Sequence, residues 1–162
     1  MNLKFLSFKN LSSLILLFSI FILDRISKIY VITLSGENFE AELYESTFLN
    51  IILIWNKGIA FGLLSFDQSY FYNLITIFIT LIIFILIVLI FKSENLKKYS
   101  YILVTGGALG NLFDRIIYNS VPDFIDIHYN ELHWFIFNIA DIFITIGIIC
   151  LIFDEIFLEK KI

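Results

Sequence analysis

The chain has 162 residues, 59% of them hydrophobic, with a mean hydropathy of +0.90 and a formal net charge of -4. A soluble domain is nearer half apolar and lacks long uncharged runs, so this composition excludes an ordinary soluble enzyme and points to one membrane domain over residues 1–162. The net charge says less than the placement of the charges, and no basic patch is present to receive nucleic acid.

A membrane-spanning helix needs about 20 mostly apolar residues. The first predicted span, residues 11–34, is interrupted by Asp24, Arg25 and Lys28. Lys4 and Lys9 before an apolar run resemble a cleaved signal peptide, but no small-x-small site follows Leu23, so a retained span is expected. The loop Ser35 to Ser69 follows, with Glu37, Glu40, Glu42 and Glu45 and then "STFLNIILIWNKGIAFGLL". That stretch is rich in β-branched and aromatic residues and predicts a short strand or hairpin on the membrane surface. The second span, residues 70–91, carries no charge, and the polar link Lys92 to Lys98 leads into the third, residues 99–118. A second outer loop, Asn119 to His133, precedes the fourth span, residues 134–153. The expected fold is an all-α, four-transmembrane-helix bundle with a small extracytoplasmic β-like loop region.

Lys4, Lys9, Lys92, Lys97, Lys98, Lys160 and Lys161 all fall on one side of such a bundle, so both termini are expected in the cytoplasm. The polar residues inside the apolar segments gather near the opposite, outer face. Gly107, Asn111 and Asp114 follow one another at i, i+4 and i+7 on span three, and Asn138, Asp141 and Thr145 at i, i+3 and i+7 on span four. "NLFD" and "NIAD" thus read as one device, an amide one turn before an acid. Gly106 and Gly110 form a small-xxx-small pair suited to close helix approach. Asp24 of span one, Asn56 before span two and Asp123 of the outer loop lie at the same level, whereas Asp126 and Glu131 read as solvated loop acids.

Two carboxylates a few ångströms apart cannot both ionise easily, so one holds a proton while the other serves as base toward water. Asp123 and Asp141 are 18 residues apart, about 27 Å along a continuous helix, and meet only if the chain turns between them. By spacing alone Asp114 with Asp141 is an equal candidate pair. His128 and His133 flank Glu131 in "HYNELH", which is neither H-E-x-x-H nor its inverse, so no zinc site is expected. A proton-coupled relay is disfavoured because no repeat is visible and polar residues mark only the outer half. A scaffold held by glycine faces leaves the two "NxxD" stretches unexplained.

"LDRISK", "NKGIAFGLLS", "GGALGNLFDRI", "VPDFIDI" and "FNIADIFITIG" occur in the order seen in the lipoprotein signal peptidase (signal peptidase II) family, which the chain resembles from Asp24 to Gly147. The resemblance implies an aspartic endopeptidase of the bacterial cytoplasmic membrane. Such an enzyme cuts the signal peptide from diacylglyceryl-modified prolipoproteins just before the lipidated cysteine, on the extracytoplasmic side. It implies a catalytic dyad of Asp123 and Asp141. Asn56, Asn111, Arg115 and Asn138 match residues that hold substrate or dyad, Asp114 an acid supporting the site, and Asp24 one that steadies the fold. Ser27 and Pro122 stand where Thr and Val are common, and neither departure alters the expected activity. The implied partners are lipid-modified prolipoproteins and membrane lipids, the implied state is monomeric, and the chemistry needs no metal or organic cofactor.

Overall fold

The computed structural model describes residues 8–36, 41–58 and 69–158. In chain order these form α1 (Phe8–Ser35), β1 (Ala41–Tyr44), β2 (Leu49–Asn56), α2 (Ser69–Lys92), α3 (Asn95–Tyr118), β3 (Val121–Tyr129), β4 (Leu132–Phe137) and α4 (Ile139–Phe153). A π-helical turn, Asp154–Leu158, ends the described chain. The protein is mostly helical, with one four-stranded antiparallel sheet in the order β1-β2-β3-β4. Residues 37–40 and 59–68, which include Glu37, Glu40 and most of "NKGIAFGLLS", lie outside the described residues.

α3 packs against α1, α2 and α4. Its glycines make this possible. A Cβ on Gly107 would overlap the backbone carbonyl of Ala140, and one on Gly110 would overlap the Asp24 carboxylate. Gly106 and Gly110 therefore face α1, while Gly107 faces α4. Of the described helices, Tyr72–Lys92 is long and apolar enough to cross a membrane by length and composition.

The distribution of polarity is the reverse of a soluble domain. Asp24, Lys28 and Asp114 have no exposed surface, whereas Ile22, Ile26, Tyr30, Phe78, Phe84 and Ile116 are at least half exposed. Charges taken out of water need partners, and these have them, while the apolar exterior is a surface made for hydrocarbon.

Two expectations are corrected here. The segment read as a fourth helix from Trp134 begins instead as β4, and α4 starts at Ile139. Asp141 is thus the third residue of its helix rather than the eighth. The physical reason is Asn138, whose extended backbone and side chain cap α4: its Oδ1 accepts from the Asp141 N–H, and its own N–H donates to Asp141 Oδ2. The second outer loop is also not a loop. α3 ends with Asn119 in the left-handed conformation (φ 52°), and the chain then runs directly into β3. Val31, Leu53 and Phe124 form a small core joining α1 to the sheet.

Candidate active site

Asp123 comes from β3 and Asp141 from the first turn of α4, both nearly fully buried. The chain turn that brings them together is the β3–β4 hairpin around Asn130, whose φ is 50°. Asn138 ties the two acids to one frame. Its Nδ2 donates to Asp123 Oδ1 at 2.6 Å, and its backbone N–H donates to Asp141 Oδ2 at 3.2 Å. Asp123 Oδ2 accepts from Asn56 Nδ2 at 2.8 Å, and Asp141 Oδ1 from Asn111 Nδ2 at 2.9 Å. The Asn56 contact follows from register: Asn56 of β2 pairs with Val121, which makes Asp123 its diagonal neighbour.

Both carboxylates face a cavity of about 370 Å³ between α2, α3 and α4. Ile79, Ile83, Leu86, Val104, Ile144 and Ile148 give it apolar walls. Its polar end holds Asn56, Asn111, Arg115, Asp123 and Asp141. Burial, and then the neighbouring Asp141 carboxylate, pushes the Asp123 carboxyl up to about 7, against the opposing pull of the hydrogen bonds from Asn56 and Asn138. Arg115 donates to the Gly58 carbonyl and its guanidinium lies over the Tyr72 ring, 5.4 Å from the centroid. Its Nε and Nη1 are buried with no hydrogen-bond partner among the described residues.

Asp114 does not line this cavity. Both of its oxygens accept from Arg25, and Oδ2 also from Lys28 at 2.7 Å. Lys28 also donates to Asp24 at 2.9 Å and to Asn111 at 2.8 Å. Asp24 in turn accepts the Ala140 N–H at 3.0 Å, placing a negative charge at the start of α4 where the helix dipole favours it. The partners of Asp114 are thus on α1. The single stripe of Gly107, Asn111 and Asp114 is therefore corrected. Asn111 reaches Asp141, while Asp114 joins Gly106 and Gly110 against α1, so "NLFD" is not the device that "NIAD" is. Sequence reasoning passed over Arg25 and Lys28 as site residues; the Asp24–Lys28 spacing of i, i+4 was the available signal.

Asp126 is corrected as well. It is fully buried on β3, not a solvated loop acid, and its Oδ2 lies 2.8 Å from His133 Nδ1. Glu131 is exposed at the hairpin turn, as expected.

The family profile described as "Signal peptidase (SPase) II" matches residues 16–157. The chain is 50% identical over 149 residues to the lipoprotein signal peptidase of Pelagibacter ubique (strain HTCC1062), covering 92% of this chain and 90% of that one. It is 35% identical over 144 residues to the lipoprotein signal peptidase of Anaplasma marginale (strain Florida), covering 88% and 82%. Among solved structures it resembles a bacterial membrane enzyme determined by the in meso method at 2.3 Å, with a TM-score of 0.71, 31% identity and 93% of each chain covered. A second such structure, at 1.9 Å, gives a TM-score of 0.71 and 32% identity, covering 91% of this chain and 94% of the other.

Proposed function

The chain belongs to the signal peptidase II family, and we propose that it is an aspartic endopeptidase that removes signal peptides from diacylglyceryl-modified prolipoproteins, with Asp123 and Asp141 as its catalytic pair. The observation that carries this reading is the convergence of those two buried carboxylates, bridged by Asn138, on the polar end of an otherwise apolar cavity. The apolar walls suit the hydrophobic stretch of a signal peptide. The polar end suits the bond to be cut.

The pair shares one proton. The ionised carboxylate takes a proton from water as that water attacks the scissile carbonyl carbon, and the protonated carboxyl gives its proton to the carbonyl oxygen. Collapse of the tetrahedral intermediate breaks the C–N bond, with a proton delivered to the leaving nitrogen. The products are the signal-peptide carboxylate and the free amine of the lipidated cysteine. Arg115, with two unpartnered nitrogens among the described residues, holds a substrate carbonyl. Asn56, Asn111 and Asn138 fix the carboxylates, and Asp24 and Asp114 brace α1, α3 and α4 behind them. The chemistry calls on no metal or organic cofactor.

The four α-helices are read as membrane spans, the fourth continued by the π-helical turn. Their outward Ile, Leu and Phe side chains and their inward charges support this. Lys97 pairs with Glu155 at 3.2 Å, joining the start of α3 to the π-helical turn after α4 at the end of the bundle away from the sheet. Lys92, Lys97 and Lys98 at that end support reading it, with both termini, as cytoplasmic. The sheet and the carboxylate pair then lie at the extracytoplasmic face of the bacterial cytoplasmic membrane.

The test is cleavage of a diacylglyceryl-modified prolipoprotein by the purified full chain in detergent. Asp123→Asn and Asp141→Asn, assayed as folded protein, are expected to lose at least about 10³-fold in kcat. Turnover near the parent rate in either variant would overturn the assignment.

A further inference from the structure

The β3–β4 hairpin holds a second cluster that the proposed hydrolysis does not use. Asp126 and His128 lie two residues apart on β3 and so face the same side of the strand. His133 of β4 is registered directly opposite His128. The register itself explains this pairing. Ile136 pairs with Asp126 and His133 with His128, so β4 carries one more residue than β3 between the two pairs. That extra residue is a bulge, and it brings His133 opposite His128, where an unbroken ladder would place Trp134.

The three side chains converge closely. His133 Nδ1 is 2.8 Å and His128 Nδ1 3.9 Å from Asp126 Oδ2, and the two imidazoles stack with centroids 5.0 Å apart at 19°. One potential donor atom from each residue lies within 4.8 Å of the others. A tetrahedral zinc ion with bonds of about 2.0–2.1 Å holds its donors about 3.3 Å apart, so the donors lie within about 1.5 Å of that spacing. Asp126 Oδ1 and His128 Nδ1 are buried without a hydrogen-bond partner among the described residues. Buried polar atoms of this kind normally have partners. A cation bound between the side chains supplies one to both. Asn50 Nδ2, 3.4 Å from Asp126 Oδ2, steadies the carboxylate from β2. His133 is half exposed and leaves a route from solvent and a coordination position for water.

We infer that Asp126, His128 and His133 form a binding site for one divalent cation of the zinc class. The donor set selects the ion: two imidazoles with one carboxylate suit zinc and its borderline neighbours, not calcium or magnesium, which take oxygen ligands. The carboxylate is Asp126 from the strand, not the Glu131 that "HYNELH" places between the histidines in sequence. Bound metal clamps β4 to β3, the strand that also carries Asp123. The inference does not depend on the peptidase reading.

The experiment uses the full chain in detergent, with any polyhistidine tag removed and metal stripped by a chelator, titrated with Zn²⁺ against a chromophoric competitor. One tightly bound zinc per chain is expected, with affinity falling about 100-fold or more in His128→Ala and in His133→Ala. Zinc should raise the melting midpoint of the parent protein and leave both variants unmoved. Cobalt substitution should give the visible absorption of a tetrahedral site in the parent only. His133→Ala, at a half-exposed position, serves as the folded control. Zinc uptake by the parent no greater than that of the His128→Ala/His133→Ala double variant would overturn the site.

Discussion

Asn56 and Asn138 each donate one amide hydrogen bond to an oxygen of Asp123, and those bonds favour its ionised form while burial and Asp141 oppose it. Two consequences follow for pH. With Asp123 pushed up to about 7, the pair keeps its shared proton below that pH and loses it above, so kcat/KM should fall as pH rises through about 7. Removing a bond that favours ionisation raises the pKa further, so Asn56→Ala should move this alkaline limb to higher pH even as it lowers the maximum rate. A pH–rate profile of the two proteins checks the direction; a limb shifted downward would contradict it. Stability carries the same sign. The native state binds the extra proton between the ordinary carboxyl pKa of 3.8 and about 7, so this acid's contribution is least unfavourable below 3.8 and most unfavourable above 7. The melting midpoint of Asp123→Asn relative to the parent should therefore rise as pH is taken from 5 to 8. Spacing alone left Asp114 and Asp123 as equal partners for Asp141, and it was the resemblance that implied Asp123. That Asp126 lies buried was legible in neither, because a lone acid between Ile125 and Ile127 carries no mark of which face of a strand it will occupy.

α3 works as an element with two faces. Gly106, Gly110 and Asp114 meet α1, and Gly107 and Asn111 meet α4. The sequence pattern identifies small and polar residues at helical spacing, but a stripe of i, i+4 and i+7 does not say which neighbour it faces when helices press from two sides. Gly107→Ala tests the α4 face: its Cβ would strike the Ala140 backbone, which cannot rotate away, so a loss of about 1–3 kcal/mol is expected, read as a lower melting midpoint in detergent. The start of α4 tests the cap. Asn138→Ala removes a helix cap worth about 0.5–2 kcal/mol and also the bond to Asp123, so stability and kcat should fall together. The misplaced start of this helix has a simple cause. "WFIF" of β4 is as apolar as the helix after it, and a short apolar run gives no periodicity to separate strand from helix. The N-x-x-D spacing at Asn138 and Asp141 was the signal for the true boundary.

Across the whole molecule, two acids and two bases, Asp24, Asp114, Arg25 and Lys28, are sealed between α1 and α3 beneath an apolar exterior. Neutralising one member leaves an uncompensated buried charge. Asp114→Asn should cost about 3–5 kcal/mol, enough to impair folding in detergent, without Asp114 touching the cavity. The measurement is the thermal midpoint, and the contrast with Asp141→Asn is the useful one. If Asp114→Asn keeps the parent's midpoint, the bracing role assigned to the cluster fails.

Composition and hydropathy determined that the chain would be mostly helical with an uncharged apolar helix at α2, because an unbroken apolar run of that length is a local property of its segment. Motif order determined the family. Spacing left Asp114 and Asp123 as rival partners for Asp141, and the resemblance pointed to Asp123; the tertiary structure supplies the physical reason, since α1 claims both oxygens of Asp114 while Asn138 joins Asp123 to Asp141. It also decided that Asp126 meets two histidines, because strand register and a one-residue bulge, not sequence distance, set who stands opposite whom.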